Sequence, residues 1–175
     1  MFRQFVVFAG IFFAYTSAGK LEDFPQEYRE LMPEQVKKFI TGLSDQEKAT
    51  MKEVYENFHT YKSDQEVVAA VKAKSPELAA KLEEFDAWIK GKAAALGPEA
   101  RGYFDALHKS ASQVRAQFYA GKKPTVAELK QVALEDIKKY RALSAAGKAD
   151  IRKQFPILAG VLESDKFYKE VESLH

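Results

Sequence analysis

Apolar residues recur along this chain at helical spacing and do not alternate as they would in strands. Met51, Val54, Tyr55 and Phe58 stand at i, i+3, i+4 and i+7, which puts them on one side of an α-helix. Leu78, Leu82, Phe85, Trp88, Ile89 and Leu96 form a second stripe, opened by Pro76 and followed by Gly97, a natural residue just past a helix end. Tyr103, Phe104, Leu107, Ala111, Val114 and Phe118 form a third that stops near Gly121. Val126, Leu129, Val132, Ala133, Ile137 and Tyr140 form a fourth. Shorter helices are expected over residues 26–31, 34–40, 64–74, 145–154, 157–162 and 166–173.

Punctuation agrees with the periodicity. Pro25, Pro33, Pro76, Pro98, Pro124 and Pro156 each precede a run of good helix formers, where a missing N–H costs nothing because the first helical turn has no partner for it. Ser44 with Glu47, Ser63 with Glu66 and Thr125 with Glu128 each have the spacing of a capping box. In that motif the hydroxyl accepts the third amide of the helix and the glutamate reaches back to the cap amide. Connections are short, so the expectation is an all-α fold forming a single compact multi-helix domain.

The first residues read differently. Arg3 is followed by an apolar run from Phe5 to Ala14 and then by the small residues Thr16, Ser17 and Ala18, the order of a secretory signal peptide. A transmembrane helix needs roughly 20 apolar residues, and this run is shorter. Residues 1–18 are therefore expected to be a signal peptide and residues 19–175 the functional domain of a secreted, extracellular protein with no stable membrane anchor.

Composition narrows the chemistry. The chain has 175 residues, a net charge of +2 and no cysteine. Loss of Arg3 with the signal peptide would bring the charge to +1, and Lys37-Lys38, Lys122-Lys123 and Lys138-Lys139 are interleaved with acids, so there is no basic footprint for nucleic acid. Without cysteine there is no disulfide, no thiolate nucleophile and no zinc site of the usual kind. A domain of this size can rely on its apolar core alone. His59, His108 and His175 are scattered, and no nucleophile elbow, phosphate loop or dinucleotide fingerprint is present. His59 and His108 lie beside apolar stripes and are read as partly buried structural histidines. The sequence predicts no enzyme, no metal and no cofactor.

One resemblance covers the chain beyond the signal peptide. The stretches KLEDFPQEYRELMPEQVKKFITGLSDQEKATMKEVYENFHTY, KAKSPELAAKLEEFDAWIKGKAAALGPEARGYF and VRAQFYAGKKPTVAELKQVALEDIKKYRAL resemble the nematode fatty-acid- and retinol-binding (FAR) family. The resemblance implies a secreted helical carrier with an internal apolar cavity. Its partners would be fatty acids and retinol, and its roles lipid acquisition or transport and modulation of host lipid signalling, with transient membrane contact for ligand transfer. It also implies a casein-kinase-type phosphorylation site, which Ser44 and Glu47 match; the capping box accounts for the same two residues more simply.

On helical spacing, the large apolar residues of the central helices are the candidate lining. They are Phe58, Val71, Leu82, Phe85, Trp88, Ile89, Phe104, Leu107, Val114, Phe118, Leu129 and Ile137. The same stripe would serve equally as packed core. Arg115, beside Ala111, Val114 and Phe118, is the candidate partner for a fatty-acid carboxylate. The alternative for it is a cation whose stem covers apolar surface while its head stays in water. Two other readings of the whole chain stay open: a secreted helical protein-interaction protein with no enclosed site, and a surface-active protein that lies on lipid.

Overall fold

The computed structural model describes residues 26–174, so the expected signal peptide and Pro25 lie outside the described residues. The described chain is helical throughout, with no strand among those residues. Its elements are α1 (Gln26–Glu30), α2 (Glu34–Thr41), α3 (Asp45–Glu56), a 3-10 turn (Phe58–Thr60), α4 (Asp64–Lys74), α5 (Pro76–Ala94), α6 (Pro98–Tyr119), α7 (Val126–Arg141), α8 (Ala145–Gln154), α9 (Pro156–Glu163) and α10 (Asp165–Glu172).

The helix starts follow the residues that favour them. Pro76, Pro98 and Pro156 are first residues of their helices, Pro33 sits at the cap of α2, and Pro124 stands just before the Thr125 cap of α7. Ser44 and Thr125 make complete capping boxes with Glu47 and Glu128. Ser63 makes only half of one. Its hydroxyl takes the Glu66 amide, but the Glu66 carboxylate accepts from the Lys62 N–H at 2.7 Å. The cause is backbone rotation: Ser63 has φ −160°, against −68° at Ser44, and this turns its own amide out of reach.

Helix ends correct one expectation. Gly97 is not a left-handed cap: α5 ends at Ala94, and among the described residues Gly121, at φ 74°, is the glycine with positive φ. There the Lys122 N–H donates to the Gln117 carbonyl and the Gly121 N–H to that of Phe118, a Schellman closure of α6. Gly97 instead offers its N–H to Asp150 at 2.6 Å, an approach so close that a Cβ would stand 3.2 Å from the carboxylate.

The contacts sort into two compact units. The first holds residues 26–90 and Arg115–Lys123; the second holds Gly91–Val114 and residues 124–174. In the first, Leu43, Val54, Val71, Leu78, Ala79 and Leu82 form a buried cluster, with Phe39, Met51 and Tyr61 packed against it. In the second, α9 packs on α8 and α7, and α10 packs on α7. Ile137, Tyr140, Ile151, Phe155, Leu158, Val161 and Val171 are buried there. Three members of the predicted stripes face water: Val126 and Leu129 at the start of α7, and Tyr55, 55% exposed because α3 buries a narrow face built on Thr50 and Val54.

Candidate functional site

Each unit presents an apolar interior rich in aromatic rings. In the first, Phe39 stacks on Phe85 with centroids 4.6 Å apart, and Phe85 stacks on Trp88 at 5.4 Å. Phe58, from the 3-10 turn, meets Phe118 edge-on at 6.2 Å and Tyr119 at 5.4 Å. In the second unit Phe104 stacks on Phe155 at 4.8 Å and on the half-buried His108 at 5.7 Å. Tyr103 meets Tyr140 at 5.6 Å. His59, expected to be partly buried, is exposed in its 3-10 turn.

The predicted lining residues fall in both units. Phe58, Val71, Leu82, Phe85, Trp88, Ile89, Phe118 and Arg115 belong to the first. Val71, Leu82, Phe85 and Ile89 are buried, and Phe58, Trp88 and Phe118 half-buried. Phe104, Leu107, Val114, Leu129 and Ile137 belong to the second. Phe104 and Ile137 are buried, and Leu107 and Val114 half-buried. Leu129 differs: it is 39% exposed, because the first turns of α7 carry its apolar stripe beyond the packed interior.

Arg115 does not snorkel. It is 5% exposed, with its Nε 3.4 Å from Asp64 Oδ1. The same carboxylate oxygen accepts the Tyr119 hydroxyl at 2.6 Å, and burial together with this bond pushes the Tyr119 phenol up, so it stays neutral. A cation, an anion and a neutral hydroxyl thus meet beside the Phe58–Phe118 pair.

Buried acids are the feature that stripe reading missed. Asp86 is 3% exposed, with Lys90 at 2.5 Å from its Oδ2. Asp136 accepts the Ser110 hydroxyl at 3.1 Å and faces Lys139 at 3.3 Å, and burial pushes its carboxyl above the ordinary value. Glu47 is held below the ordinary value chiefly by Lys81 at 2.8 Å. A signal existed: Asp86 interrupts the Leu82–Phe85–Ile89 stripe, and Asp136 sits beside Ile137 within another. Each acid meets a neighbouring cation or hydroxyl through one oxygen, while the other oxygen of Asp86 (Oδ1) and of Glu47 (Oε1) is buried with no hydrogen-bond partner. No group of three or more potential metal ligands occurs among the described residues.

The second unit also bears an open groove of about 510 Å³ between α7 and α10. Ala127, Leu134 and Tyr168 give it apolar walls, and Lys130, Lys138 and Arg141 give it charge. Arg141 lies over the Tyr168 ring at 4.7 Å and pairs with Asp165 at 3.0 Å.

Comparison with known proteins places this arrangement. The fatty-acid and retinol-binding protein 1 of Caenorhabditis elegans is 34% identical over 83% of this chain and 80% of its own length, and protein 2 of the same organism is 34% identical over 95% and 94%. The solved structure of the fatty acid and retinol binding protein Na-FAR-1 from Necator americanus is 46% identical, with a TM-score of 0.55 over 88% of this chain and 99% of that one. The family model described as nematode fatty acid retinoid binding protein (Gp-FAR-1) matches residues 26–174. The family is one of lipid-binding carriers, not of enzymes, and this chain belongs to it.

Proposed function

We propose that this chain is a secreted carrier that binds fatty acids and retinol non-covalently in an internal apolar cavity. Its work is lipid acquisition and transport, with modulation of host lipid signalling as a consequence. The observation that carries the reading is the family match, which spans the whole described chain. The aromatic interiors of both units are the right material for such a cavity, because pockets for lipids are lined mainly by apolar and aromatic side chains.

Magnitudes support it. About fourteen methylenes of an acyl chain contribute on the order of 11 kcal/mol when buried. Association with a pre-formed site costs about 4 kcal/mol at the low end, which leaves about 7 and a dissociation constant on the order of 10 µM. A charge contact for the carboxylate tightens this, and Arg115 is the group we assign to it, with Asp64 as its partner when no carboxylate is present. Retinol has no charge and would not need Arg115.

Titration with a dansyl-labelled fatty acid tests the reading. A strong blue shift, reversed by oleate and by retinol, is the expected result. A response to phospholipid vesicles alone would replace the carrier with a surface-active protein, and silence would leave a protein-interaction role. Secretion has its own test. Expressed in a secreting eukaryotic host, the chain is expected in the medium with its N-terminus at Gly19, and full-length material retained in the cell would overturn that assignment.

A further inference from the structure

Asp86 stands where helical spacing calls for an apolar residue. It lies four residues after Leu82 and three before Ile89, so the three share one face of α5, and all three are buried. One carboxylate oxygen, Oδ2, meets the ammonium of Lys90 at 2.5 Å. Lys90 is exposed and comes to the acid from the solvent side. The other oxygen, Oδ1, is shut off from water, and no donor of the described chain reaches it. A buried acceptor without a donor lowers stability, the more so when it is charged. Folded proteins keep few such groups, and each one needs a reason.

Stability does not supply the reason. Asp86 lies in the middle of α5 (Pro76–Ala94) and caps nothing, whereas Glu47, the other acid with an orphan oxygen, is placed by the cap of α3. A buried ion pair can often be replaced by apolar residues without loss, so leucine at this position would continue the stripe and serve the core as well. What leucine could not do is accept a hydrogen bond. Phe85, the preceding residue, stacks with Phe39 at 4.6 Å and with Trp88 at 5.4 Å, so an aromatic lining and one unused acceptor belong to the same turn of α5. Charge then selects the occupant. A carboxylate is repelled by Asp86, and an aldehyde or an ester has no proton to give. An alcohol donates its O–H to the carboxylate in a charge-assisted bond, stronger than a neutral one.

The geometry points to Asp86 Oδ1 as the acceptor for the hydroxyl of an alcohol lipid of the retinol class. This rests on the carrier function proposed above and gives the first unit two polar anchors of opposite sign, Arg115 for an acid and Asp86 for an alcohol. One apolar interior then serves a charged and an uncharged ligand by different polar ends. The ion pair with Lys90 also sets what a change at Asp86 does. Lys90 is a donor, so in Asp86→Asn the amide oxygen turns to Lys90 and the NH2 takes the place of Oδ1. The interior then meets a donor instead of an acceptor, which suits an aldehyde and not an alcohol.

Retinol and retinal share ring and polyene and differ only at the terminal oxygen, so comparing them tests the site. Trp88, the single tryptophan of the chain, is two residues from Asp86, and quenching of its emission reads both retinoids on one scale. The parent should bind retinol about ten-fold more tightly than retinal, the low end for a hydrogen bond to a charged acceptor. Retinyl methyl ether, which keeps the oxygen and loses the O–H, should bind as retinal does. Asp86→Asn, shown to be folded by circular dichroism, should reverse the order of retinol and retinal while oleate keeps its affinity. If that variant does not fold, the ranking of the three retinoids by the parent decides alone. Equal binding of all three by the parent, or a retinol-to-retinal ratio that Asp86→Asn leaves unchanged, would overturn the assignment. So would an equal loss of retinol, retinal and oleate in the variant, which would make Asp86 part of the core only. Oleate binding without discrimination among retinoids would sink this inference and leave the carrier standing. Silence toward oleate and every retinoid would be the failure of the carrier reading itself.

Discussion

Glu47 carries a charge at a place where water scarcely reaches it, and the reason is local. It completes the cap of α3 through the Ser44 N–H at 2.7 Å and meets the ammonium of Lys81 at 2.8 Å, a residue of α5. Lys81 also donates to the Gly42 carbonyl at 2.8 Å. These bonds favour the charged carboxylate, so its folded pKa lies below the ordinary 4.5. A depressed acid stabilises the fold above its unfolded value, and that stability is lost as pH falls through the folded one. Glu47→Gln should therefore cost about 1–2 kcal/mol at pH 7, discounted because Lys81 is 40% exposed. In urea melts the gap to the parent should narrow below pH 4; a gap that is constant with pH would remove the charge from the account. Arg115→Gln should weaken oleate and spare retinol, and equal loss of both would end the assignment of Arg115 to the carboxylate. Leu107 is half-buried, so Leu107→Trp, if folded, should lower the affinity for both ligands; unchanged binding would take Leu107 out of the lining.

At the scale of elements, the helices were legible because each start is written in the residues that make it. The spans of α4 and α8 match the sequence expectation residue for residue, and the others differ by a few positions at their ends. Contributions from a distant part of the chain were not legible. Ser144 opens α8 without a glutamate three residues later, since that position is Gly147. Its amide and hydroxyl are taken instead by Glu99, at the start of α6. A Cβ at residue 147 would lie 2.6 Å from that carboxylate, so glycine is what leaves room for it. No local motif encodes a cap supplied from 45 residues away. The two serine caps of the SDQE tetrads offer a direct comparison. Ser44→Ala removes a bond whose glutamate also returns to the cap amide, and should cost about 1 kcal/mol. Ser63→Ala breaks the same kind of hydroxyl-to-amide bond at an exposed place, whereas that of Ser44 is part-buried, so its cost should be smaller. Equal denaturation midpoints for the two variants would mean that the burial at Ser44 adds nothing.

At the scale of the whole molecule, the family could be read from the sequence because the resemblance is spread along its length, whereas the lining could not. A stripe such as Leu82, Phe85 and Ile89 has one spacing whether it faces a neighbouring helix or a lipid, and burial alone does not separate the two. Leu129 shows the limit from the other side, since its place in a stripe predicted enclosure and its position in the first turn of α7 exposes it. Thermodynamics separates the cases where geometry does not. A lipid that binds the folded chain and not the unfolded one stabilises it by RT ln(1 + [L]/Kd), about 1.4 kcal/mol at ten times the dissociation constant. For a chain of this length that shift corresponds to roughly 3–6 °C in melting temperature. Oleate and retinol at that excess should each raise the transition by this amount, and the shift should grow logarithmically with ligand. A carrier without cysteine has no covalent staple to hold an empty interior open, so its cargo is expected to act as part of its core. If neither ligand moves the transition while a vesicle suspension does, the lipid is held at the surface and the enclosed site falls.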